Sequence, residues 1–219
     1  MNSHDFVREM EELLETTLAG LDNLELVEAE SGGNVEMVPL LKIALKNEIE
    51  ASQLAAFWMA TTSEIDVKLG YARQAGDEAK HYKLIENRLK QMGVDLSGFD
   101  PLQTGYSAMY NSLCEIPDTV SRLAAGQFAR EKIALKRNLQ FIRFCESRDD
   151  HETAKLYSEI IQPDEKYHHL LGKTMLEKYA TSEKAQALAR EAVKKTLEIA
   201  EELRGLAAKK LGVCQIPGC

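Results

Sequence analysis

Cysteine is scarce and unpatterned in this chain of 219 residues. Cys114, Cys145, Cys214 and Cys219 are irregularly spaced, with no Cys-x2-Cys pair, which argues against a disulfide scaffold and against a zinc or rubredoxin-type knuckle. Only the tail pair, Cys214 and Cys219, can close a small disulfide loop, and terminal residues usually fray. No apolar run approaches the roughly 20 residues that cross a bilayer. The start, MNSHDFVREMEELLE, has neither a basic nor an apolar stretch of the secretory kind. A cytoplasmic location is expected. Positive charge is also short: the formal net charge is -8, so neutralising phosphates offers the chain nothing and nucleic acid is not an expected partner. Val, Ile and Thr are sparse, and no stretch alternates with period two, which leaves little room for a sheet.

What remains is a helix-forming alphabet. Hydrophobic residues make up 44% and charged residues 28%, enough for one globular domain spanning 1–219 with a real core. The periodicity predicts helices over 3–20, from Pro39 to Thr62, from Ser63 to Gly93, from Pro117 to about Cys145, from about Asp150 to Tyr179, and over 182–211. Ser3 is the expected cap of the first, and Phe6, Met10, Leu13 and Thr17 its inner stripe. Residues 22–37 read as an acidic connector, and Ser63 with Asp66 as a capping box. The Gly- and Pro-rich segment 94–116 reads as a long crossover with a short helix near Tyr106–Leu113. Pro163 falls inside the fifth helix and should kink it or open a wider turn. Leu188, Ala192, Thr196, Ile199, Leu203 and Leu206 form the expected stripe of the last helix. The fold class is all-α: a four-helix core over about 38–180 with an additional helix at each end.

Two of these helices carry the same motif. Asp77-Glu78-Ala79-Lys80-His81 and Asp164-Glu165-Lys166-Tyr167-His168 both read Asp-Glu-x-x-His. Glu and His three apart share a helix face, so both can bind one metal ion. Carboxylate oxygen with imidazole nitrogen suits iron or manganese better than magnesium or calcium, whose sites want oxygen alone. The helix before each motif offers a further Glu. Glu48 precedes Ser63 by 15 residues and Glu78 follows it by 15, so a hairpin there sets both carboxylates about 22 Å from the turn. Glu131 and Glu165 lie 17 residues either side of Arg148. Glu48, Glu78, His81, Glu131, Glu165 and His168 together make the ligand set of a di-metal carboxylate centre. Asp77 and Asp164 each sit four residues before a motif His and can accept the free imidazole N–H, within their own helix or across to the opposite His.

On these six residues the sequence resembles the ferritin-like superfamily of di-iron carboxylate proteins, over roughly 38–180. The resemblance implies a ferritin-like bundle and a redox cofactor of two iron ions, with manganese or a mixed pair as alternatives. It implies an oxidoreductase that activates dioxygen or peroxide with an external electron donor and a small-molecule substrate it does not specify. The alternatives are an iron-handling ferroxidase or storage-type protein and a non-catalytic metal-stabilised bundle. A rubredoxin-like Cys module is missing, and the two added helices would obstruct a ferritin-like cage, so a homodimer is expected. A substrate pocket is expected beside Ala51, Ala55 and Ala134, small residues one or two turns from Glu48 and Glu131. Close helix approach explains the same alanines.

Other candidates have plainer readings. The motif register selects His168 over His169. Glu50 is expected on a solvated face, His4 and His151 at the surface, Tyr82 and Tyr167 in packing, and Phe57, Trp58 and Met59 in the core.

Overall fold

The computed structural model describes residues 1–19, 36–211 and Pro217, with side chains described as far as Ala207 in the last helix. Among the described residues there is no strand, and no helix is long and apolar enough to cross a membrane. The helices are α1 (Ser3–Leu18), α2 (Met37–Thr61), α3 (Ile65–Gln91), α4 (Ala108–Cys114), α5 (Thr119–Leu123), α6 (Glu131–Ser147), α7 (His151–Leu156), α8 (Gln162–Tyr179) and α9 (Glu183–Leu211). Among the described residues, two π-helical segments complete the set: Ala124–Arg130 joins α5 to α6, and Tyr157–Ile161 joins α7 to α8. Five long rods result among the described residues, namely α2, α3, α5–α6, α7–α8 and α9. The arrangement is compatible with a ferritin-like bundle.

Local chemistry sets the boundaries. Asn2, not Ser3, caps α1, its side chain accepting from the Asp5 N–H. The buried stripe of α1 is Phe6, Val7, Met10, Leu14 and Leu18, while Leu13 is exposed, so the expected stripe was one position off at its lower end. No capping box forms at Ser63: the hydroxyl bonds Glu64, and Asp66 accepts from Lys178 and Tyr179 of α8. The hairpin is therefore clamped across elements rather than capped locally. Gly93 takes φ 79° and ends α3, with its N–H on Lys90 and that of Val94 on Leu89. Asp118 and Asp150 cap α5 and α7. In α9 the buried face is Gln186, Ala189, Val193, Thr196, Ala200 and Ala207, and Leu188 and Leu206 are exposed. The helix packs on the bundle, through smaller residues than expected. The expected connector over 22–37 and the Cys214–Cys219 pair lie almost wholly outside the described residues.

Pro163 sits at the start of α8, directly after the second π segment. The wider turn absorbs a residue that cannot donate, so the rod continues without breaking.

Two apolar clusters fill the bundle. One contains Phe6, Met10, Leu54, Trp58, Tyr71 and Phe128; the other contains Leu41, Leu45, Ile85, Leu89, Phe141 and Tyr157. On α2 the boundary between them falls between Leu45 and Leu54, and on α3 between Tyr71 and Ile85. Glu48 and Glu78 occupy those gaps. The polar site is thus a layer between two dry ends.

Candidate metal centre

All six sequence-selected side chains, Glu48, Glu78, His81, Glu131, Glu165 and His168, are completely buried. They form two groups that can each hold a metal ion: Glu48, Glu78, His81 and Glu165, and Glu78, Glu131, Glu165 and His168. Within each group one ligand atom per residue lies within 4.8 Å of the others. Glu78 and Glu165 belong to both. Glu48 with His81 closes one end, and Glu131 with His168 closes the other. The shared Glu78 turns Oε2 toward His81 Nδ1 at 3.1 Å and Oε1 toward His168 Nδ1 at 3.5 Å.

The imidazoles are held from outside. His81 Nε2 lies 3.1 Å from Asp164 Oδ2, and His168 Nε2 lies 3.2 Å from Asp77 Oδ2. Of the two arrangements open in the sequence, the structure has the crossed one. A carboxylate only accepts, so each Nε2 donates. A neutral ring fixed this way aims the lone pair of Nδ1 at carboxylate oxygens: Glu78 and Glu48 (3.3 Å) for His81, Glu165 (3.4 Å) and Glu78 for His168. That geometry demands a cation or a second proton between them.

The titration behaviour of the protein alone says the same. Burial, reinforced by the charge of Glu78, pushes Glu48 up to about 7. Burial and the neighbouring Glu78 and Glu131 charges push Glu165 well above the usual carboxylate range. Burial opposes charge on His81, but its bonds to Glu48 and Glu78 win and raise it to about 12. Protons stand where cations would compensate four buried carboxylates. Glu48 Oε1 and His168 Nδ1 are buried without a hydrogen-bond partner, and Glu48 Oε2 meets only another inward donor, His81 Nδ1, at 3.3 Å. Oxygen-rich donors with one imidazole at each end, and orphaned donor atoms facing inward, fit a pair of metal ions.

The outer carboxylates are tied down in turn. Lys80 reaches Asp164 at 2.6 Å and Asp77 at 3.8 Å, bridging the two hairpins at the surface. Arg73 bonds Asp77 at 3.3 Å and stacks over the Tyr167 ring at 3.4 Å. Tyr167 thus carries the Arg73 guanidinium on its ring beside His168.

Several residues lie elsewhere than expected. Glu50 is buried, not solvated: it accepts from the N–H and hydroxyl of Ser107 and so pins the crossover to α2. His169 is buried facing away from the centre, with Nδ1 at 2.9 Å from the Phe128 carbonyl and Nε2 at 3.2 Å from Glu11. Trp58 is core, whereas Phe57 and Met59 are exposed. His4 and His151 are at the surface. Ala51, Ala55 and Ala134 are buried. A cavity of about 20 Å³ lies nearby, walled by Glu50, Leu54, Ser107 and Arg130 among others and by none of the three alanines.

Two buried glutamines were missed. Gln74 donates to Glu131 Oε1 at 2.7 Å, and Gln127 donates to Gln74 Oε1 at 2.6 Å. Gln74 lies four residues before Glu78 on the same helix face, which is the signal that could have found it. Gln127 lies in the first π segment, where α-helical register misplaces side chains.

Comparison with protein-family models, with curated proteins and with solved structures finds no significant match for this chain.

Proposed function

We propose that the buried cluster holds two iron ions and that the protein is an oxidoreductase acting on dioxygen or peroxide. The observation that carries this reading is the pair of four-donor groups sharing Glu78 and Glu165, each with one His Nδ1 turned inward. Glu48, Glu78, His81 and Glu165 would hold one ion, and Glu78, Glu131, Glu165 and His168 the other. The mixed oxygen and nitrogen donors favour iron or manganese over magnesium or calcium. Such a pair, when bound, supplies the electrons for reducing an oxygen species.

The chain's own residues do the rest. Asp77 and Asp164 hold the imidazoles with Nδ1 inward, and the two apolar clusters keep bulk water from the layer between them. Ala51, Ala55 and Ala134 are the small residues beside which we place an organic substrate. An external electron donor and a homodimer belong to the same proposal.

The test is metal analysis of protein purified under native conditions, with an absorption spectrum after exposure to air. About two iron ions per chain and a new near-ultraviolet band are expected. Manganese at that stoichiometry moves the reading to peroxide chemistry. Metal well below two ions per chain, even after anaerobic reconstitution, defeats it. Glu131→Ala and His168→Ala should each bind well below two ions with helix content kept, because apolar packing supplies most of the helices' stability. Size in solution separates an enzyme-like monomer or dimer from a storage particle of many subunits.

A further inference from the structure

The two groups differ in what touches their outer carboxylates. Glu131 is bonded by Gln74, whose Nε2 donates to its Oε1 at 2.7 Å and lies 3.3 Å from Glu78 Oε1. The Gln74 amide is itself fixed, because its Oε1 accepts from Gln127 Nε2 at 2.6 Å. Flipping it would face an oxygen toward two carboxylates and an N–H toward another N–H. Both glutamines are buried, and Gln127 leaves its own Oε1 without a partner to make this bond. Burying an unpartnered amide oxygen is unfavourable, so the bond to Gln74 is held against a penalty.

The other group has no counterpart. The position four residues before Glu165, equivalent to Gln74 before Glu78, is Ile161, fully buried and apolar. Glu48 has no such support from outside the cluster: its Oε2 faces another candidate ligand, His81 Nδ1, at 3.3 Å, and its Oε1 has no hydrogen-bond partner. One end of the centre is therefore pinned by an amide relay, and the other is not.

We propose that Gln74, oriented by Gln127, is a positioning residue that makes the two metal positions unequal, so that the Glu131–His168 position loads first and the Glu48–His81 position second. The inference rests on the two-metal reading above. A ligand already held in place binds without losing freedom, and outer partners of this kind are typically worth about 10–100-fold in metal affinity. The amide relay supplies that support at one position only.

The experiment is an anaerobic calorimetric titration of metal-free protein with Mn²⁺ alone. The parent should show two steps, and His81→Ala should remove the weaker. Gln74→Leu should weaken the tighter step by about 10–100-fold and leave the weaker step nearly unchanged, while lowering the melting temperature of the metal-free protein because Gln127 and Glu131 lose a buried partner. Gln127→Leu should weaken the same step by less, and the double variant should be no worse than Gln74→Leu, because Gln127 acts through Gln74. If Gln74→Leu does not fold, the Gln127→Leu step still decides. Two equal steps in the parent, equal weakening of both steps, or unchanged affinity in the variants overturns the inference while leaving the two-metal reading intact. A parent that takes up fewer than two ions overturns the two-metal reading, and this inference with it.

Discussion

His81 donates through Nε2 to Asp164, a residue 83 positions away on the opposite hairpin, at 3.1 Å. The reciprocal bond joins His168 to Asp77. Each motif thus supplies a His to one group, a Glu to both, and an anchor to the other group's imidazole. The crossing couples the two hairpins, so neither group is fully built until both hairpins have packed.

This crossing makes the first prediction. Asp164→Ala should weaken metal retention by about 10–100-fold, through loss of the His81 anchor, and Asp77→Ala should do the same through His168. Lys80→Met should change little, since that side chain is half exposed and its ion pairs are weak there. Competition with a chelator measures all three. An Asp164→Ala protein that holds metal like the parent would show that the anchor does not matter.

The buried carboxylates predict the pH dependence of the metal-free protein. Glu48 binds protons at about 7 when folded, against an ordinary 4.5, and His81 at about 12 against 6.5. Both take up more protons folded than unfolded, so stability falls as pH rises through these windows. Glu78, held at about 2, opposes this only below its ordinary 4.5. On the two-metal reading, metal ions would replace the protons. The gain in melting temperature on loading should therefore grow from about pH 5 to about pH 8. A gain that is flat or shrinks over that range would mean the carboxylates are not compensated by the metals.

The six inward donors were legible because they obey simple helical spacing: three residues within each motif, and equal depth either side of Ser63 and Arg148. The same rules fail where tertiary contacts decide. Ser63 and Asp66 look like a capping box, yet Asp66 is taken by Lys178 and Tyr179, 112 and 113 positions away. Glu50 looks solvated until the crossover brings Ser107 to it. The π segments have no pattern of their own, and Pro163 alone hinted at one. Each inserts a wide turn that shifts the helical register, which is how Gln127 reaches Gln74.

Helix α1 should loosen in acid. The His169 hydrogen bond holds Glu11 at about 2, with help from Lys173, against the cost of burial. A depressed carboxylate stabilises the fold above its ordinary 4.5, and that contribution is lost as pH falls through 4.5 toward about 2. Solvent access discounts it to about 1 kcal/mol, or about 2–4 °C of melting temperature in a chain this size. Glu11→Gln should show that loss already at neutral pH and a flatter acid limb. Hydrogen exchange in α1 is the direct readout. An unaltered acid limb in the variant would remove Glu11 from the account.

The alanines beside the centre give a divided outcome. Ala55 is 2% exposed, so a phenyl ring there must fill a pocket or overpack a seam. With a pocket, Ala55→Phe should abolish oxidation of an organic substrate while metal content and Fe²⁺ oxidation persist. With helices in contact, it should cost about 1–3 kcal/mol of stability. Full activity with unchanged stability would remove both explanations.

Two glycines test whether the first π segment positions the centre. A Cβ on Gly172 of α8 would lie 2.7 Å from the carbonyl carbon and Cβ of Gln127 and from the backbone nitrogen of Phe128. A Cβ on Gly70 of α3 would come closer still, 2.5 Å, but to the Cδ2 end of Leu171. A leucine tip can change rotamer, whereas the backbone of a buried π segment can move only by shifting the residues it carries. Gly172→Ala should therefore cost about 1–3 kcal/mol by overpacking, and it should also disturb the site, because Gln127 and Glu131 lie in and directly after that segment. Gly70→Ala should cost less and leave metal binding alone, even though its first contact is shorter. Melting temperatures and Mn²⁺ titrations of the two variants decide the matter. If Gly172→Ala loses stability but binds both ions like the parent, the π segment is scaffold only. If Gly70→Ala is the more damaging to metal binding, the centre is positioned from the α3–α8 seam instead.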